Sequence, residues 1–323
     1  MSSANSTFTD LVATTLRYHR KEADDVVSKN NALYMRMRKR GNIEEVSGGW
    51  ELAFPLDFEE NDTYQRYSGF ETLNIQQSEV ITAVNYSWKQ VAVNVVQSGH
   101  EIRINSGPEA LIKLAKARVQ NALRTFANGL CSDMYSAGSA DSSKQIGGLQ
   151  ALLATDGTGT VGGINAANYS QWANQYRNLS GTSGQSLLNA LSALWINCVR
   201  GSDHPTAMFV ENSVFTALEG AMVVNQRYTA QNDTEAGIGF TTLNYKGIPV
   251  YFDPTGVGIP TGAAFMLNED YIKLAVHPKA NLTVMDDKVS VNQDGVVIPI
   301  LFEGNMFLTN RKLQGYGFGW IAP

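Results

Sequence analysis

Residues 50–58 place apolar side chains at every second position. Trp50, Leu52, Phe54, Leu56 and Phe58 alternate with Glu51, Ala53, Pro55 and Asp57. A period of two is the signature of a strand with one buried face. Pro55 has no N–H to give to a ladder, so this strand is expected at a sheet edge or irregular there. A polar tip, DFEENDTYQRYSG, follows. On the return Val80, Thr82, Val84, Tyr86 and Trp88 alternate, and then Val91, Val93 and Val95 alternate on the opposite parity. A break of register near Lys89 and Gln90 is required, as a bulge or a change of sheet provides. The spacing predicts a long two-stranded ribbon over 50–96. Such a ribbon is marginal by itself, and with aromatics on one face it is expected to lie across a neighbouring molecule.

A helix is predicted next. Ser106-Gly107-Pro108-Glu109 has the spacing of a capping box with proline in the first turn. Leu111, Ala115, Val119, Ala122, Phe126, Leu130 and Met134 then mark one helical face, ending near 135–138. That stripe reads as a core face. A second helix is expected around 185–200, with Leu187, Leu188, Leu191, Leu194, Trp195 and Cys198 on its stripe. A short strand at 207–210, a short helix at 213–222 and strands at 248–252, 264–267 and 271–276 follow, with further β-like stretches beyond. The polar segment 224–244 reads as a long loop or hairpin.

The first 45 residues hold eight of the 25 Lys and Arg, interleaved with Glu22, Asp24, Asp25, Glu44 and Glu45. This segment reads as an extended or partly helical arm. Its basic run MRMRKR contains Arg36, Arg38, Lys39 and Arg40. Two uses stay open for these four: a solvated or inter-subunit salt-bridging face, or contact with nucleic acid. A net charge of −5 argues against a dedicated nucleic-acid-binding domain. With 43% hydrophobic residues the 323-residue chain can bury a large core, as two domains or one elaborate one. No run of 18 apolar residues is present to span a membrane, and no secretory leader pattern opens the chain. Cys131 and Cys198 fall in apolar helical patterns and are expected as buried free thiols, which fits synthesis in a reducing compartment.

Gly157, Gly159 and Gly162 spell G-x-G-x-x-G. The dinucleotide fingerprint needs a strand before it, a helix after it and an acidic residue about 20 positions on. The flanks GGLQALLAT and INAANYSQW and the later LSGTSGQS supply none of these, so a structural loop or hinge is expected. No Gly-Lys pair makes a phosphate loop, His100-Glu101 lacks a second histidine at Ile104, and no nucleophile elbow is present. The four histidines are scattered. Asp57, Glu59, Glu60 and Asp62 lack calcium-loop spacing and read as a solvated or inter-subunit tip. No catalytic, cofactor or metal residues are assigned.

The order of arm, ribbon, long helix and mixed α/β region resembles the major capsid proteins of tailed bacteriophages. FPLDFEENDTYQRYSGFE and AVNYSWKQVAVNVVQSG look like the two limbs of that family's extended loop. GGLQALLA and GTVGGINAANYSQWANQ look like the passage out of its spine helix. NYKGIPVYFDP and AAFMLNEDYIKLAVHP resemble its strands running back toward the peripheral domain. The resemblance implies an α+β chain of the Hong Kong phage capsid fold. It divides the chain into an N-terminal arm (1–49), the extended loop (50–96), a first peripheral part with the spine helix at 107–137 (97–164), an axial domain (165–288) and peripheral C-terminal strands (289–323). Residues 224–244 would lie near the capsomer axis.

The implied function is a structural, non-enzymatic subunit of an icosahedral virion shell, assembled in the bacterial cytoplasm without cofactor or membrane. Its partners are other copies in hexamers and pentamers, reached through the loop and arm, and non-specifically the enclosed DNA. Arg36, Arg38, Lys39 and Arg40 are candidate DNA-facing or inter-subunit residues. Glu59, Glu60, Asp62, Arg66 and Tyr67 are candidate inter-subunit loop residues. Some members crosslink through a loop lysine; no lysine occurs between Lys39 and Lys89, so the shell is expected to rely on non-covalent contacts. There is no room for a long scaffolding segment before the arm, so assembly help, if needed, is expected from a separate protein or from a segment already removed, with a separate scaffolding, portal or decoration protein as a further candidate partner. A cellular compartment shell of the encapsulin type is the alternative, and a nucleotide-dependent enzyme a more distant one.

Overall fold

A computed structural model describes residues 32–76, 80–100, 108–223, 243–285, 288–289 and 294–321. Residues 1–31, the Ser106-Gly107 cap and most of 224–244 lie outside the described residues.

Two mixed layers share one chain. The first sheet is centred on β15 (Gly295–Leu308), whose sequence GVVIPILFEGNMFL suits burial on both faces. One edge of β15 pairs antiparallel with β4 (Lys89–Ser98), from Gly295 opposite Ser98 to Gly304 opposite Lys89. Its other edge takes β12 (Ile272–Val276) and then β13 (Thr283–Val284) and β14 (Lys288–Val289). β1 (Ile43–Glu45) completes this sheet, parallel to β12.

Across the sheet lies the long helix, α2 (Pro108–Asp133). Its expected stripe is the buried one: Val119, Ala122, Phe126, Leu130 and Met134 are all in the core, and Phe126 meets the Phe302 ring of β15 at 5.4 Å. The side chains of Leu111 and Ala115 lie outside those described.

The second sheet runs β7 (Gln175–Asn178), β16 (Gly315–Phe318), β11 (Ala264–Leu267), β8 (Ala207–Glu211), β10 (Ile248–Asp253) and β9 (Leu243–Tyr245). Its strands alternate between two cores. Met208, Val210, Val250, Ala264 and Met266 face one core, built with α3 (Gly184–Asn197) and α4 (Asn212–Val223). Phe209, Tyr251, Phe265 and Leu267 face the other, which they share with α2 and the first sheet. Helix α3 starts at a polar turn in which the Ser183 N–H donates to Ser186 Oγ at 2.8 Å, satisfying a donor the helix leaves free. Cys131 and Cys198 are buried and in no disulfide, and burial pushes the Cys198 thiol up to about 12.

Two expectations need correction. Only β2 (Leu52–Asp57) and β3 (Ile81–Tyr86) form the two-stranded ribbon, from Leu52 opposite Tyr86 to Asp57 opposite Ile81. The register break at Lys89 is a change of sheet, because the opposite-parity run of valines in β4 finds a better-buried partner in β15. The strand pairing also does not follow a boundary at 288. β12 joins the first sheet, whereas β16 is inserted into the second between β7 and β11. The expected strands at 248–252, 264–267 and 271–276 are present within a residue.

Candidate functional site

The basic run MRMRKR lies in α1 (Ala32–Arg40), a helix whose inner face is Ala32, Leu33, Arg36 and Met37. Arg36 is only 8% exposed. Its Nε donates to Glu269 Oε1 at 2.8 Å, and its Nη1 donates to Tyr251 Oη at 2.7 Å. Thr206 Oγ1 donates to the other oxygen of Glu269 at 2.7 Å. Arg40 adds a second cation, 3.1 Å from Glu269 and 3.0 Å from Asp270. Arg36 thus points into its own chain, not toward DNA or a neighbour. The physical reason is helical spacing: it shares a face with Leu33 and Met37, and a buried carboxylate awaits it. Arg38 and Lys39 lie on the exposed face.

The start of α1 is held as firmly. Asp253, at the end of β10, accepts from the Ala32 N–H at 3.3 Å and from the Tyr135 hydroxyl just past α2. Burial raises the Asp253 carboxyl to about 6, against hydrogen bonds that pull it down. Burial first, and then the neighbouring Asp253, push the Tyr135 phenol well up. Beyond α1, the Asn42 side chain donates to the Glu269 carbonyl, and β1 enters the first sheet. This part of the expected arm is an integral element of the fold.

The ribbon differs between its two ends. At its root, the Phe54 ring stacks on Phe307 with centroids 3.8 Å apart and planes at 5°. Leu52, Leu56, Val84 and Tyr86 are buried, and the Tyr86 hydroxyl donates to the Leu308 carbonyl at 3.0 Å. Beyond Phe58 the side chains turn out to solvent. Glu59, Glu60, Asp62, Arg66 and Tyr67 are all exposed, as are Tyr64, Phe70, Leu73 and Ile75, the last by 91%. Trp50, which the alternation assigned to the buried face, is 94% exposed. Asp57, Glu59, Glu60 and Asp62 line an open cleft of about 1060 Å³ together with Arg200 and Lys312. Among the described residues no group of three or more His, Cys, Asp or Glu side chains is placed to hold a metal ion, and no helix is long and apolar enough to cross a membrane.

The glycine-rich stretch follows a one-turn helix at Leu149–Leu152, not a strand. Gly162 and Gly163, with φ of 61° and 82°, make the two-residue turn of a hairpin between β5 (Thr160–Val161) and β6 (Ile164–Asn165). Two successive positive φ values are what such a turn requires. The hairpin is packed rather than hinge-like: Asn85 of β3 donates its N–H to the Gly162 carbonyl at 3.0 Å.

No protein-family model and no curated protein matches the chain. Solved structures do. A subunit of the cyanophage A-1(L) capsid aligns with 85% of this chain and 89% of its own, at 14% identity and a TM-score of 0.61. This chain has the fold of phage capsid subunits. The capsid of Myoviridae phage XM1 aligns over 88% of this chain and 91% of its own (10% identity, TM-score 0.53), and the capsid of a native GTA particle over 87% and 88% (12%, 0.53). The capsid fold accounts for the α+β architecture expected from the sequence.

Sequence reasoning missed Glu269, Asp253 and Phe307, the side chains that hold α1 and the ribbon root. Each is an isolated residue in its local string, and only the buried face Leu33–Arg36–Met37 carried a legible trace of its partner.

Proposed function

We propose that this chain is the major capsid protein of a tailed bacteriophage, a structural subunit that associates with copies of itself into a closed icosahedral shell around double-stranded DNA. The observation that carries this reading is the bare ribbon tip on a chain with a capsid fold. Tyr64, Tyr67, Phe70, Leu73 and Ile75 are open to water within a dozen residues. A group of exposed apolar side chains of that kind marks a surface at which another molecule docks. A neighbouring copy supplies the cover, through Glu59, Glu60, Asp62, Arg66 and Tyr67 of the tip. Stable shells bury more than the roughly 1,600 Å² of a standard interface, and an outreaching ribbon is an economical way to add area. Arg38 and Lys39, on the outer face of α1, are the members of the basic run that can meet DNA or another subunit. Their contact with DNA is electrostatic and indifferent to sequence. The protein's place is then the virion shell, formed in the host cell.

Electron microscopy and sedimentation of the expressed protein, alone and with neighbouring phage proteins, test this reading. Capsomers or closed shells are expected. A compact monomer under every assembly condition overturns it. Particles filled with a cargo protein and free of nucleic acid would indicate a cellular compartment shell instead.

A further inference from the structure

We infer that the β5–β6 hairpin is the stop that sets the angle of the ribbon to the body, with Gly162 and Trp172 as positioning residues for assembly. This rests on the reading of the chain as a shell subunit, since the ribbon's angle decides where its tip meets a neighbour.

The hairpin is anchored to the body by contacts of its own. Arg311, 1% exposed on the turn between β15 and β16, donates from Nε to the Leu152 carbonyl at 2.9 Å and from Nη2 to the Thr158 carbonyl at 2.8 Å. These contacts close both ends of the loop that leads into β5. On the far side, the Trp172 indole N–H donates to the Val161 carbonyl at 3.0 Å, and the same ring lies 6.4 Å from Phe58 of the ribbon; within the hairpin the Ala166 N–H donates to the Gly159 carbonyl at 3.1 Å. So held, the hairpin meets the ribbon at its root. The Asn85 hydrogen bond joins them, and there is no spare room: a Cβ on Gly162 would lie 2.9 Å from Val84 Cβ, 3.0 Å from Val84 Cγ1 and 3.2 Å from the Tyr86 ring. Phe58 then leans on Tyr169 with ring centroids 5.2 Å apart, and past it, among the described residues, the side chains from 59 to 76 are exposed apart from the partly buried Thr63.

The neighbouring glycine isolates the effect. Gly163 sits in the same turn with a positive φ, yet a Cβ there meets nothing within 4 Å. Both Gly162→Ala and Gly163→Ala bring the strain of a left-handed alanine, but only the first presses on β3. Restoring ordinary carbon–carbon contact needs a displacement of about 1 Å at the root. Carried outward along the strand, it grows to about 3 Å at the tip.

The test is pulsed electron paramagnetic resonance on unassembled full-length subunits carrying spin labels at Tyr67→Cys and Asn128→Cys. Both sites are exposed, whereas Cys131 and Cys198 are buried. Gly162→Ala should shift the label distance by about 3 Å relative to both wild type and Gly163→Ala, with loss of closed shells of wild-type diameter. Trp172→Phe, which removes the donor to Val161 without adding bulk, should broaden the distance distribution. Equal distances for the two glycine variants overturn the inference. Should Gly162→Ala not fold, an unchanged distribution in Trp172→Phe overturns it alone. Failure of the wild type to form shells would count against the proposed function, while the label distances would still decide the hairpin's role.

Discussion

Helix α1 and the ribbon tip both read in sequence as charged segments reaching outward, yet the chain treats them in opposite ways. Helix α1 is tied down by Arg36 on Glu269, by Asp253 at its first turn and by Leu33 and Met37 in the core. The tip carries more large apolar side chains than α1 and buries none of them on its own body. The lesson lies in where partners are supplied. A buried carboxylate within the chain converts a basic run into structure, whereas apolar groups left without an intramolecular partner are an invitation to another molecule.

The largest expected effect tests the tip. Deleting 59–70 should abolish shell formation, seen by microscopy, while thermal unfolding of the subunit stays close to wild type; a collapse of folding would show that the tip packs on its own body. At the root the balance reverses. Phe307→Ala removes a fully buried ring stacked on Phe54 and should lower stability by about 4 kcal/mol in chemical denaturation. Arg36→Ala leaves Glu269 buried with only the more exposed Arg40 beside it, and a loss of about 3 kcal/mol is expected. A change within a few tenths would return α1 to the class of loose arms.

The smallest effect is a pH dependence. The Asp253 carboxyl titrates near 6 in the folded chain and near 3.8 when unfolded. The folded state therefore holds the extra proton between those values. This group's contribution to stability rises as pH falls from 6 toward 3.8 and is flat above 6. Comparing wild type with Asp253→Asn across pH 4–8 should expose a difference of about 2 kcal/mol that grows toward neutrality in favour of the variant. A constant difference would mean that Asp253 does not titrate in this window.

Much of the fold was legible wherever one periodicity ran long enough. The stripe from Val119 to Met134 marks the long helix, and the alternation from Leu52 to Phe58 marks the ribbon strand. What escaped was decided by distant partners. Trp50 continues the alternation but projects past the last residue that Tyr86 pairs with, so parity alone could not show its exposure. The valines of β4 look like ribbon until β15 is present to receive them. Gly157, Gly159 and Gly162 matched the dinucleotide-binding pattern because both a pyrophosphate-binding turn and the tight turns here need backbone angles that other residues avoid. Arg36 lay hidden in a basic run because charge composition is blind to which face of a helix each charge occupies.

The placement of β15 and β16 bears on how a newly made chain matures. β15 is the middle of the first sheet and β16 is interior to the second, and their partners in β4 and β7 precede them by well over a hundred residues. During synthesis β4 and β7 have no strand partner in these sheets until residues 295–318 have emerged from the ribosome. Pairings so remote in sequence are slow to form. The ribbon root, which stacks on Phe307, is fixed by the same late step. A subunit still being translated therefore holds its ribbon at no set angle. The ribbon takes its place on the body only once Phe307 is there to receive Phe54.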